Sequence, residues 1–200
     1  MKNLIILFSC LLIACKSENK AIEPTEFIQW FKKNKVEFVR TKTIGNYQFQ
    51  LEILPLEFKL ISQFDNIESV NTKIIKEDYL NNKNKLFCQL KISPIKNDKT
   101  MLETGISTPE EYGARMNYFS SHAQKDMFII QGKDTLNCLS YHFENTFGLE
   151  KSNKINLEFE RKNNVGDIEF VFDEKSLNTG IIKFTIPYNT LKNTPQLKID

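Results

Sequence analysis

The chain has 200 residues, 40% of them hydrophobic and 26% charged, and its 27 basic and 25 acidic side chains leave a formal charge of only +2. Charges this balanced, and spread along the chain, make no single-sign field of the kind that gathers nucleic acid or acidic polymers, so no nucleic-acid partner is expected. Two histidines and four cysteines leave little material for a metal centre, and neither metal nor cofactor is expected.

The chain opens with Met1-Lys2-Asn3, an apolar run from Leu4 to Ala14, and Cys15. A basic start, a short apolar stretch and a small residue before a cut are the three parts of a secretory signal. Lys16-Ser17-Glu18-Asn19-Lys20 ends the run far short of the roughly 20 apolar residues that span a bilayer, so it does not read as a membrane helix. Residues Leu12-Ile13-Ala14-Cys15 resemble the lipobox of bacterial lipoproteins, in which a branched apolar residue, a tolerant position and a small residue precede the modified cysteine. The resemblance implies removal of residues 1–14, lipidation of Cys15 and a lasting membrane anchor, since two or three acyl chains hold far more firmly than one. It also implies the outer membrane, because Lys16 stands where an aspartate would retain the protein at the inner membrane of some Gram-negative bacteria; either leaflet fits. Polar residues 16–23 make a tether that reaches roughly 26 Å at full extension. With 24 Lys, 20 Asn and 22 Ile, the composition points to an AT-rich genome, and the chain resembles the small uncharacterised lipoproteins of Bacteroidetes. That resemblance implies no functional family beyond the anchor.

The remaining residues, 24–200, are enough for one domain with a proper core and short for two. Pro24 to Lys33 reads as a helix, with Phe27, Trp30 and Phe31 at helical spacing behind an N-terminal proline. Val36 to Ile53 alternates around Tyr47, Phe49, Leu51 and Ile53 and holds the turn signal Gly45-Asn46, which predicts one or two strands. Pro55 to Phe64 predicts a second helix with Leu56, Leu60, Ile61 and Phe64 on one face, whereas Asp65 to Lys85 is polar and without a clear period. Leu86 to Ile92 is a strand that puts Cys88, Leu90 and Ile92 on one face. Thr108-Pro109-Glu110-Glu111 is a capping box, and Tyr112, Met116, Phe119 and Ala123 predict the buried stripe of the helix behind it.

From Asp126 onward the pattern is that of consecutive strands. Met127 to Gln131 and Leu136 to Asn145 flank Gly132-Lys133-Asp134, a tight-hairpin signal. Three period-two sets follow: Ile155, Leu157 and Phe159; Ile168, Phe170 and Phe172; Ile182, Phe184 and Ile186. They are separated by Asn163-Asn164-Val165-Gly166 and Asn178-Thr179-Gly180, and they set Glu158, Glu160, Glu169 and Lys183 on the opposite face. Pro187 and Pro195 bracket a loop before a last strand, Gln196 to Ile199. The fold class is therefore mainly β, with α+β the alternative: an antiparallel, sandwich-like domain carrying two or three short helices.

Cys88 and Cys138 are the two cysteines of that domain. In an oxidising envelope a disulfide between them is one reading, and a pair of small buried hydrophobes on separate strands is the other. Neither stands in a Cys-x-x-Cys or beside a His at zinc spacing. His122 and His142 are too few for a three-His metal site or a His-Glu-x-x-His protease. Gly105-Ile106-Ser107-Thr108-Pro109 starts like a nucleophile elbow and lacks its closing glycine, and no glycine pattern of a nucleotide loop is present.

Three constellations remain. His142 and Glu144 share a strand face, and with His122 they make the one polar set from which an acid/base site could be built, although the same spacing fits a solvent face. Glu158, Glu160, Asp167, Glu169, Asp173 and Glu174 gather around one hairpin, with Lys154, Arg161, Lys162 and Lys175 interleaved as on a solvated face. The aromatic residues, Trp30 included, fit a core better than a sugar or peptide groove. No catalytic residue is assigned. The expected function is a membrane-anchored, non-enzymatic binding or accessory domain of the cell envelope, with an envelope protein, peptide or glycan as partner. The alternatives are an envelope inhibitor or immunity-type lipoprotein, and a cryptic hydrolase built near His142 and Glu144.

Overall fold

Side chains alternate across a strand, so a segment with large apolar residues at every second position has one face to bury. Such segments, with one more polar edge segment, form eight strands: β1 Val39–Ile44, β2 Tyr47–Leu54, β3 Lys85–Pro94, β4 Met127–Gln131, β5 Asp134–Glu144, β6 Asn153–Glu160, β7 Ile168–Asp173 and β8 Ile181–Ile186. The computed structural model describes residues 21–66, 72–96, 98–162 and 166–199. The expected signal segment, Cys15, most of the expected tether and Asn163-Asn164-Val165 lie outside the described residues.

All strand pairs are antiparallel, in the order β1-β2-β3-β6-β5-β4-β7-β8. β1 to β3 form a meander whose first turn is the expected Gly45-Asn46, with Gly45 at φ 56°. β4, β5 and β6 form a second meander, and β7 returns to pair with β4, which makes a Greek key. The mainly β, antiparallel, sandwich-like fold is thus made by one continuous sheet. β5 is its corner. Residues 134–137 of β5 pair with β4, residues 138–144 pair with β6, and the register shifts between Cys138 and Ser140. The extra residue, Leu139, points out at 53% exposure. A bulge of this kind bends a strand and raises its twist, and here it turns the sheet onto itself.

The inner face is the core. Ile155, Leu157, Phe159, Ile168, Phe170, Phe172, Ile182, Phe184 and Ile186 are each no more than 3% exposed. The Phe159 and Phe170 rings meet at 6.0 Å although β5 and β4 lie between their strands in the sheet, so this contact crosses the two layers. Lys42 of β1 sits 5.6 Å from the Phe184 ring of β8, which brings the two edge strands together.

Helices close the two ends. α1, Pro24–Asn34, and α2, Leu56–Ile61, cover the end where β2 finishes. There Phe31 packs 4.6 Å from Phe58 and 5.2 Å from Phe38, and Trp30 joins them 5.8 Å from Phe38, in the core role expected of it. α3, Thr72–Asn82, occupies the polar stretch in which no period was legible, and Ile75 is its buried anchor. The expected loop between Pro187 and Pro195 contains α5, Tyr188–Lys192, and in place of a last strand a single parallel bridge joins Leu197 to Ile22. α4, Pro109–Asn117, begins at the capping box, with Glu111 N–H donating to Thr108 Oγ1 at 3.2 Å, and closes the opposite end. Among the described residues no helix is long and apolar enough to cross a membrane.

The disulfide considered from the sequence is not formed: Cys88 and Cys138 are free, buried thiols. They flank β6, Cys88 opposite Leu157 and Cys138 opposite Phe159. Two interstrand spacings put them about 10 Å apart, beyond the roughly 7 Å between Cα atoms that a disulfide can bridge. Burial pushes both thiols up, Cys138 to about 11, and the Cys138 S–H donates to the Ser140 carbonyl at 3.1 Å. A Cys15→Ser mature chain should therefore show no thiol reactive to Ellman's reagent when native and two per chain in denaturant without reductant; none in denaturant would mean a bridge.

Candidate functional site

His142 lies on the outer face of β5, opposite Asn156 of β6. A polar ladder crosses that face: Gln89 Nε2 donates to Asn156 Oδ1 at 2.9 Å, and Asn156 Nδ2 donates to Glu144 Oε1 at 2.6 Å. With Phe58 and Lys59 of α2, and with Phe87, Ser140 and Glu158, His142 lines a groove of about 340 Å³. His122 is elsewhere. It ends a π turn, residues 118–122, that packs on the inner side of β5 through Phe119 and Phe143, whose rings stack at 5.7 Å. Its Nε2 lies 3.3 Å from Asn117 Nδ2. His142 and Glu144 share a face as expected, but His122 bonds Asn117 and does not line the groove with His142, so the three are not seen converging on one site.

The acidic cluster is dispersed in the same way. Glu158 pairs with Lys85 at 2.5 Å, Glu169 with Lys183 at 2.9 Å, and Asp173 with Lys175. Asp167 accepts the Tyr188 N–H at 2.8 Å. Buried Glu174 accepts the N–H groups of Ser176 and Leu177 and so shapes the β7–β8 loop. Among the described residues no three His, Cys, Asp or Glu side chains are placed to hold a metal ion.

The residue that sequence reasoning passed over is Arg115. Of the expected stripe, Phe119 and Ala123 are buried and Met116 packs against the core, but Tyr112 is 36% exposed, and Arg115, only 5% exposed, takes the inward position on α4. Its Nη1 donates to the carbonyls of Thr104 at 2.6 Å and Leu102 at 3.1 Å and to Tyr47 Oη at 3.2 Å, and its Nη2 donates to the Ser176 carbonyl at 3.3 Å. Its Nε has no partner among the described residues. One guanidinium thus ties α4, the segment after β3, the start of β2 and the β7–β8 loop together. A cavity of about 330 Å³ beside it is lined by Gly105, Ile106, Tyr118, Lys175 and Asn178. The phenols there hold their protons more tightly than a free tyrosine. Burial raises the Tyr47 hydroxyl despite Arg115, and burial together with the Asp126 carboxylate, which accepts from Tyr118 Oη at 2.9 Å, raises that of Tyr118.

At the other end, a cleft of about 160 Å³ lies between α2, α3, α5 and the strand ends. Glu57 of α2 is 8% exposed at its wall, with Tyr79, Lys83, Lys85, Arg161 and Lys192 around it. Burial pushes the Glu57 carboxyl up to about 7, against the opposing pull of its own backbone N–H and of Arg161. A glutamate in a six-residue helix gave no sequence signal of burial.

The β5–β6 loop, 145–152, holds the two most exposed large apolar side chains among the described residues, Phe147 at 84% and Leu149 at 91%. The loop is ordered from within: Phe147 N–H donates to Asn145 Oδ1 at 2.9 Å and Leu149 N–H to the Thr146 carbonyl at 2.9 Å. Phe147 adopts φ 49°, a left-handed conformation that costs a non-glycine residue about 1 kcal/mol.

No family model matches the chain, and no curated protein matches it. Among solved structures, a DUF4426 family protein from Pseudomonas aeruginosa PAO1 is similar over 74% of this chain and 91% of its own, at 7% identity and a TM-score of 0.36. A likeness at that level carries no argument about function.

Replacing Arg115 by Leu should cost about 3 kcal/mol or more in urea unfolding, since several buried carbonyls lose their donor, whereas Tyr112→Ala should stay within about 0.5 kcal/mol. For Glu57 the folded chain holds its proton more tightly than the unfolded chain, so stability falls as pH rises from 4.5 through about 7. Glu57→Gln should remove that fall and be the more stable protein at pH 8, by at most about 3 kcal/mol. Urea midpoints measured across this pH range check it, and parallel curves for the two proteins would refute the assignment.

Proposed function

We propose that the chain is a lipid-anchored, non-enzymatic binding domain of the cell envelope, held at Cys15 and engaging a partner protein through Phe147 and Leu149. The anchor rests on the lipobox resemblance of Leu12-Ile13-Ala14-Cys15. The observation that carries the partner is the loop itself. An aromatic and an aliphatic side chain in water are of no use to the fold, yet hydrogen bonds hold their backbone in place at a conformational cost. Aromatic residues presented in this way, with little entropy left to lose, are the usual anchors of protein interfaces.

The position of the loop supports the reading. Ile22, where the tether meets the fold, pairs with Leu197 beside α5, at the end where β8 finishes. The loop follows the opposite end of β5, whose 11 residues span about 35 Å. A partner bound there stands clear of the membrane. The hydrolase alternative has less support, since His122 bonds Asn117 and does not line the groove that holds His142.

Affinity capture from crosslinked membranes, with the full-length lipidated protein, tests the proposal. One abundant partner should be recovered, and a Phe147→Ser/Leu149→Ser variant of unchanged melting temperature should lose it. An enzyme as that partner would make the domain an inhibitor. Recovery of nothing above a Cys15→Ala control, or a partner indifferent to the loop change, would refute the binding surface.

A further inference from the structure

We infer that the basic cleft beside the tether is a docking surface for the phosphate headgroups of anionic lipid, which hold the tether end of the domain against the membrane. The inference rests on the lipid-anchored reading and adds a second, electrostatic contact to it. Lys83, Lys85, Arg161 and Lys192 line the cleft, and Glu57 is the one carboxyl in its lining. Burial raises that carboxyl to about 7, so near neutral pH it offsets only part of one of the four positive charges. Lys85 is engaged by Glu158 at 2.5 Å, but Lys83 and Arg161 close no ion pair among the described residues. This is a local concentration of one sign in a chain whose formal charge is only +2.

The geometry names the occupant. Gln196 lines the same cleft, and its carbonyl accepts the Ile22 N–H at 2.9 Å, while the Ile22 carbonyl accepts the Lys198 N–H at 2.9 Å. The chain therefore meets the fold at the rim of the cleft. From Cys15 to Ile22 the chain reaches roughly 25 Å at most, which holds these cations within easy reach of the bilayer surface. Each basic residue near an anionic surface favours binding by about fivefold.

Vesicle co-sedimentation of the mature chain carrying Cys15→Ser tests this without the lipid. Binding is expected to vesicles of phosphatidylcholine mixed with phosphatidylglycerol, not to phosphatidylcholine alone, and it should fall with salt. Lys83→Gln/Arg161→Gln/Lys192→Gln should weaken it on the order of a hundredfold. Lys83→Gln/Lys192→Gln, which leaves half-buried Arg161 in place, should still lose more than tenfold. Lys96→Gln/Lys99→Gln/Lys151→Gln, the same loss of charge at the far end, should leave it unchanged. Equal binding to both vesicle types, or equal losses in the near and far variants, would overturn the inference. So would a thermal shift with inorganic phosphate, abolished by the cleft variant, in a protein that ignores vesicles. Mass spectrometry of Cys15 in the membrane-extracted protein reports on the anchor separately, so failure of the anchor and failure of the cleft are distinguishable.

Discussion

β5 hydrogen-bonds with β4 along its first residues and with β6 along its last, and the bulge at Leu139 is what allows one strand to serve both. The chain has too little helix to cover a flat eight-stranded sheet, and a sheet with one greasy face must cover it with something. Bending at β5 lets the sheet cover itself. Phe159 can then meet Phe170 across the layers, and the edge strands β1 and β8 come close enough for Lys42 to lie against Phe184. Each end of the folded sheet still opens to solvent, and the helices and loops take their roles from closing those ends.

The two ends are closed by different physics. At the end where β2 finishes the seal is aromatic, with Phe27, Phe31 and Phe38 fully buried between α1, α2 and the strands. At the far end the plug is a charged side chain that gathers backbone carbonyls from segments without regular structure. Such segments have no partners for their carbonyls in a sheet or helix, and a buried carbonyl without a donor is costly. Arg115 supplies several donors from one position, which is how the loops after β3 and β7 can be irregular and buried together. The ordered loop with Phe147 and Leu149 stands on this braced end.

The strands were legible because burial on one face writes itself into every second residue, as in Ile168, Phe170 and Phe172. The turn at Gly45-Asn46 and the cap at Thr108 were legible because backbone geometry demands those residue types. Arg115 was not, because a lone arginine one position off an apolar stripe reads as solvent-facing, and its acceptors are carbonyls that leave no trace in side-chain identity. α3 was missed because only Ile75 is described as buried in it, too little for a period to emerge. The disulfide was open because sequence gives the number of cysteines and not the strand that stands between them. Glu57 and Phe147 share one reason: each sits against its type, the acid inside and the aromatic outside, and local sequence carries no record of which residues a distant element covers.

The bridge between Ile22 and Leu197, strengthened by the Glu23–Lys198 ion pair at 2.9 Å, fastens the first described residues of the fold to nearly the last. Contacts so distant along the chain must overcome loop-closure entropy before they are rewarded, and such contacts slow folding. A polypeptide still emerging from a ribosome has no Leu197 to offer, so the segment before α1 lacks its bridge until synthesis is nearly complete. The domain is in effect a clasp that the last residues shut.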